Sequence, residues 1–139
     1  MKVERVALNN FILIRLNPGD DLLEALTLAA KENNIKNAVI LMGVGSVISH
    51  HYHVVASTEN PPKEYFTKGH AAADIVNING AVINGRIHAH ITYSNETVAY
   101  GGHLEDGCEI LTFSLITLAE VDKDFNKWDS IGSIEDLLS

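Results

Sequence analysis

The chain has 139 residues, 46% of them hydrophobic and 20% charged, with a formal charge of −8 and one cysteine. This composition excludes disorder and low-complexity sequence, and the length suits one globular domain, over 1–139, that folds without a disulfide or a metal staple. No apolar run reaches the ~20 residues of a membrane helix, and no cluster of Lys and Arg marks a nucleic-acid surface.

The acidity is uneven: from Glu105 onward there are nine acidic residues against two basic ones. The first residues, MKVERVALNN, lack the apolar core of a signal peptide. With a lone Cys108 that cannot pair internally, the expectation is a soluble, cytoplasmic protein that contacts neither membrane nor nucleic acid directly.

In chain order, Asn10–Leu16 reads as a strand, closed by the turn residues Asn17-Pro18-Gly19. Asp21 is an N-cap candidate with Glu24 at the capping-box position. Leu22, Leu23, Leu26, Ala29 and Ala30 then recur on one helical face, which predicts an amphipathic helix over Asp21–Asn33. Ala38–Val44 reads as a buried strand interrupted by Gly43 and Gly45, and Val47–Ala56 as a weakly alternating one. Ser57–Thr67, with Pro61-Pro62, reads as a loop. Ala73–Asn79 and Ala81–Ile83 are short strands, closed by Asn79-Gly80 and Asn84-Gly85. Arg86–Tyr93, Thr97–Tyr100 and Cys108–Val121 follow, with Ser94-Asn95 and Gly101–Gly107 between them. The acidic C-terminal extension, 122–139, has room for a last short helix around Ile134, Leu137 and Leu138. One helix followed by many strands gives the α+β class: a largely antiparallel sheet with one main amphipathic helix packed on it.

Seven histidines are unevenly placed. In Arg86–Tyr93 the alternation puts His88 and His90 on one face and Ile87, Ala89, Ile91 and Tyr93 on the other. Two imidazoles at i and i+2 have Cα atoms ~6.6 Å apart, close enough to share one ion at ~2.0–2.1 Å from each nitrogen. A hairpin around Ser94-Asn95 would return His103 toward them, and three histidines leave a zinc position open, as in catalytic sites. The alternation also suits an ordinary half-buried strand. His51 and His53 share a face as a weaker second candidate, with nothing nearby to supply a third ligand. Gly43-Val44-Gly45-Ser46 lacks the third glycine, lysine and helix of a phosphate loop and reads as a strand connection. Asp74 is either a polar-face residue or a carboxylate orienting a ligand imidazole.

Gly85-Arg86-Ile87-His88-Ala89-His90, followed by Gly101-Gly102-His103-Leu104-Glu105-Asp106-Gly107, resembles the signature of the PPC domain of plants and prokaryotes. Asp74-Ile75-Val76-Asn77-Ile78-Asn79-Gly80 is similar to a further stretch of that family, as is Gly43-x-Gly45-Ser46; the resemblance covers about residues 5–121. Where the family often has Gly-Arg-Phe-Glu, this chain has Ala71-Ala72-Ala73-Asp74. The resemblance implies an α+β domain assembled as a homotrimer, with His88, His90 and His103 as ligands of zinc or another divalent metal near the subunit interface. Prokaryotic members are often labelled predicted DNA-binding proteins, but the plant AT-hook has no counterpart here. The expectation is a trimeric metal-binding domain with a small-molecule role. If it is an enzyme, the open metal position suits hydrolysis or carbonyl polarisation, with Glu105, Asp106 or Asp74 to carry a proton. The alternatives are a non-enzymatic trimerisation and protein-interaction module, or a DNA-binding regulator.

Overall fold

The structure is a computed structural model and describes residues 1–138. Strand β1 (Leu8–Leu16) leads into helix α1 (Leu22–Glu32). Strands β2 (Ala38–Val55), β3 (Glu64–Ile83), β4 (Arg86–Ser94), β5 (Ala99–Leu104) and β6 (Ile110–Val121) follow, with a short helix α2 (Ile134–Leu138) near the end. Every strand pairing is antiparallel, in the order β1-β6-β2-β3-β4-β5. The class is α+β, with one main helix on the sheet. No helix among the described residues is long and apolar enough to cross a membrane.

Helix α1 starts where the cap chemistry requires, the Asp21 side chain accepting a hydrogen bond from the Glu24 amide at 3.1 Å. Its stripe of Leu22, Leu26 and Ala30 is fully buried against the sheet, and the two leucines each contribute on the order of 1.5–3 kcal/mol. The second oxygen of Asp21 accepts from the amides of Gly107 and Cys108, tying the helix start to the entry of β6.

Several expected boundaries move. Strand β2 runs unbroken through Gly43 and Gly45, with register shifts against its neighbours in place of an interruption. The loop expected over Ser57–Thr67 gives way to β3 at Glu64. Asn79-Gly80 makes no turn: it lies inside β3, where the missing Cβ lets the strand approach the His88 carbonyl of β4. Asn84-Gly85 does make the turn, both residues having positive φ, 49° and 82°. Strand β5 continues through Gly101 and Gly102 to Leu104, so His103 sits on a strand and not in a loop.

One pairing shapes the site. The first half of β2 pairs with β6 as far as Val47↔Ile110, and then β6 gives way to β5, which pairs at Tyr52↔Leu104 and His53↔His103. Strands β2, β3, β4 and β5 thereby close into a four-stranded ring. Cβ atoms on Gly101 and Gly102 would collide with the Ile91 and His53 carbonyls on either side. The glycine pair is therefore what lets β5 fit between β4 and β2. Inside the ring the rings of His50, Tyr52, Tyr93 and Tyr100 pack together, with centroids 5.2–6.1 Å apart. The Tyr93 hydroxyl reaches the buried Cys108 sulfur at 2.9 Å.

Candidate metal centre

Residues paired across antiparallel strands put their side chains on the same face. His53↔His103 and His103↔His90 are such pairs, and His88 precedes His90 by two residues on β4. The ring therefore carries four imidazoles on its outer face. The His88 and His90 rings lie 5.7 Å apart and nearly parallel, and His103 stands edge-on to them at 4.8 and 5.5 Å. His53 stacks on the other side of His103 at 4.4 Å. The hairpin expected to return His103 to His88 and His90 is present.

Carboxylates hold the outlying nitrogens. His88 Nδ1–H donates to Asp129 Oδ2 at 2.7 Å, and Arg86 donates to both Asp129 oxygens at 2.7 and 2.9 Å. His53 Nδ1–H donates to Glu105 Oε1 at 2.6 Å, while its Nε2 lies 3.6 Å from Glu64. His103 Nδ1 lies 3.4 Å from the same Glu105 oxygen and is buried without a hydrogen-bond partner. Ligand atoms of His53, His103 and Glu105 lie within 4.8 Å of one another, the one such set with an imidazole among the described residues; His88 and His90 meet His103 through ring contacts without forming such a set with it.

The electrostatics favour neutral rings. Burial, reinforced by neighbouring imidazoles, holds His90 and His103 below the usual histidine range. Burial alone would raise the Asp129 carboxyl, but its hydrogen bonds from His88 and Arg86 outweigh that and hold it below the usual carboxylate range. The lowered His90 and His103 and the lowered Asp129 carboxyl lean toward the protonation states a metal ligand shell requires.

The other expected residues fall elsewhere. Asp74 pairs with Ser94, four residues beyond His90 on β4 and so ~13 Å along the strand, which removes it from the imidazoles. Asp106 sits with Asp21 and Glu24 at the helix start. His51 turns its Nδ1–H to the Asp106 carbonyl at 2.6 Å, and His50 points into the ring, so the His50–His53 cluster splits three ways. The expectation that His53 lacks nearby partners is corrected: His103 and Glu105 supply them through the β2–β5 pairing. Asp129 was also missed, because it reaches His88 from 41 residues away with no local signal to announce it. Cys108 is fully buried, and burial pushes its thiol up, so it offers no ready nucleophile.

Beyond the imidazoles, a pocket of about 340 Å³ is lined by Gly80, Ala81, Ile83, His88, Phe125, Trp128 and Asp129.

The profile of the Plants and Prokaryotes Conserved (PCC) domain matches residues 4–122. Among solved structures, the chain is similar to a metal-containing protein from Archaeoglobus fulgidus. That likeness has a TM-score of 0.78 at 22% identity and covers 89% of this chain and 88% of that one. It is also similar to a plant- and prokaryote-conserved (PPC) protein from Pyrococcus horikoshii, with a TM-score of 0.76 at 22% identity over 89% and 87% of the two chains. At these identities the likeness shows a shared fold. Among curated proteins it is similar to the bifunctional protein GlmU of Synechococcus sp. (strain JA-3-3Ab), 28% identical over 108 residues. That match spans 77% of this chain but only 16% of the relative.

Proposed function

We propose that this chain, which belongs to the Plants and Prokaryotes Conserved (PCC) domain family, is a metal-binding protein whose ion is held by His88, His90 and His103. The observation that carries the reading is the clustering of the three imidazole rings at 4.8–5.7 Å, with the outer nitrogen of His88 held by Asp129. With Nδ1 of His88 committed to Asp129, its Nε2 is the nitrogen left for an ion. The buried, unpartnered Nδ1 of His103 beside Glu105 supports the same arrangement on the second ring. Three imidazole nitrogens favour zinc or another borderline divalent metal over a hard cation such as calcium. The alternative set of His53, His103 and Glu105 is weaker as a primary site, because His53 Nδ1 is already bonded to Glu105 at 2.6 Å. The metal named for the Archaeoglobus fulgidus protein of the same fold agrees with this reading.

A divalent ion on three imidazoles keeps a position for an incoming oxygen and acts there as a Lewis acid, which suits hydrolysis or carbonyl polarisation of a small molecule. Of the carboxylates expected to move a proton, only Glu105 lies among the imidazoles. Its Oε1 accepts from His53 Nδ1–H and lies 3.4 Å from His103 Nδ1, which puts a carboxylate beside the imidazoles.

Assembly as a homotrimer belongs to this proposal and is supported by an uncovered apolar face. Phe11 and Leu13 on β1, Val39 and Met42 on β2 and Phe113 on β6 are all exposed, and strand register places them on one side of the sheet. The same face supports the second reading, a trimerisation and interaction module without catalysis. A cytoplasmic location fits the lone, buried Cys108.

The deciding experiment is metal analysis of untagged protein beside a His88→Ala/His90→Ala variant. The expected result is about one zinc per chain, lost in the variant while the circular dichroism spectrum is kept. Equal metal content in both would overturn the site. Loss in His53→Ala with retention in His88→Ala/His90→Ala would move the ion to the His53, His103 and Glu105 set.

A further inference from the structure

The family match ends at residue 122, yet the chain continues along the ring and returns to the site. Phe125 N–H donates to Asn37 Oδ1 at 3.1 Å, and Trp128 N–H donates to the Phe125 carbonyl at 2.9 Å, which shapes a turn. Asp129 then clasps Arg86 and His88. Between this turn and the outer surface of β3 and β4 lies the pocket of about 340 Å³.

Its walls are chemically one-sided. Gly80, Ala81 and Ile83 make a floor of small and aliphatic groups, and Phe125 and Trp128 stand over it with ring centroids 6.1 Å apart. The ionisable lining residues are His88 and Asp129, and both Asp129 oxygens are already engaged. A ligand filling this space therefore gains from apolar, flat surface against the two rings and meets no lysine or arginine in the lining, with the indole N–H of Trp128 a side-chain donor beside His88. A polar head that reaches the imidazoles lies on the His88 side, where the pocket meets them.

We infer that the segment after Val121 builds a pocket for a small aromatic molecule carrying a single oxygen-donor head, the ring held by Phe125 and Trp128 and the head set at the metal site beside His88. The head rests on the metal reading above; the ring does not. Phe125, Trp128 and Asp129, which cover the pocket, lie beyond the residues that the family profile matches, while its floor lies within them.

Trp128 is the only tryptophan in the sequence, so its emission reports on the pocket without a label. Two probes separate ring from head. Benzyl alcohol, titrated into metal-free protein with selective excitation of the indole, is expected to shift Trp128 emission saturably. Phe125→Ala should abolish that shift, and Phe125→Leu, which keeps an apolar wall, should weaken it. In zinc-loaded protein, benzohydroxamate should bind about tenfold tighter than acetohydroxamate, which has the same head without the ring, and Phe125→Ala should erase the difference. No saturable emission change with benzyl alcohol, or equal affinities for the two hydroxamates on zinc-loaded protein, overturns the pocket and leaves the metal site standing. A Phe125-dependent benzyl alcohol response, together with failure of the protein to take up added zinc, supports the pocket and overturns the metal reading on which the head depends.

Discussion

Asp129 acts on His88 alone among the imidazoles, which makes it the cleanest single-residue probe of the site. Its carboxylate fixes one tautomer of His88, so Asp129→Asn should weaken zinc binding by roughly 10–100-fold, with Asp129→Glu recovering part of the loss. Competition against a chromophoric chelator measures both. A second prediction concerns His50, whose Nδ1 is buried without a hydrogen-bond partner among Tyr52, Tyr93 and Tyr100. Burial holds this histidine below its usual range, so the unfolded chain takes up the proton first as pH falls. Metal-free protein should then lose stability as pH drops below ~6.5 and on through the lowered native value. Denaturant titrations at pH 7 and pH 5 should show a smaller loss for His50→Phe than for the parent, the remainder coming from His90 and His103. His88 and His90 were legible as a pair because strand alternation alone puts them on one face. His53 and Asp129 were not, since each meets its partner through pairing or packing some 40–50 residues away, for which a local pattern carries no trace.

Strand β5 shows why glycine is hard to read in a linear sequence. Gly101-Gly102 and Asn79-Gly80 look like turn chemistry, yet both lie within strands where a neighbouring backbone carbonyl occupies the space of a Cβ. Helix α1 was legible down to its cap because the determinants are local: an Asp cap, an apolar stripe and an Asn stop. The ring of β2, β3, β4 and β5 was not, because it depends on β2 exchanging one partner for another along its length. Gly102→Ala tests that dependence. The new methyl group meets the His53 carbonyl, so β5 must part from β2, at a cost of about 1–3 kcal/mol measurable in urea. Zinc affinity should fall with it, since His103 rides on the displaced strand. Gly85→Ala, whose Cβ meets no atom within 4 Å, is the control for strain without collision.

At the scale of the molecule, two surfaces contrast. The face of β1, β6 and β2 is apolar and uncovered, while the chain from Glu105 onward is strongly acidic. If the proposed homotrimer packs through this face, Phe11→Asp with Phe113→Asp should convert it to a smaller species in sedimentation velocity, since each subunit would bring charge to a face that must be dry when packed. An unchanged sedimentation coefficient would place the contact elsewhere. With 18 acidic residues against 10 basic ones, we propose that this chain binds duplex DNA weakly at most, which a gel-shift titration at low salt checks.

Strand β2 joins the apolar face to the imidazoles: its first half lies in that face and its second half carries His53 against His103. That shared span imposes a bookkeeping of its own. If docking of subunits on the first half tightens the grip of the imidazoles by some factor, then an ion must tighten the docking of subunits by the same factor. Dilution would then strip metal from the protein, and a chelator would loosen its quaternary structure, as two readings of one reciprocal coupling along a single strand.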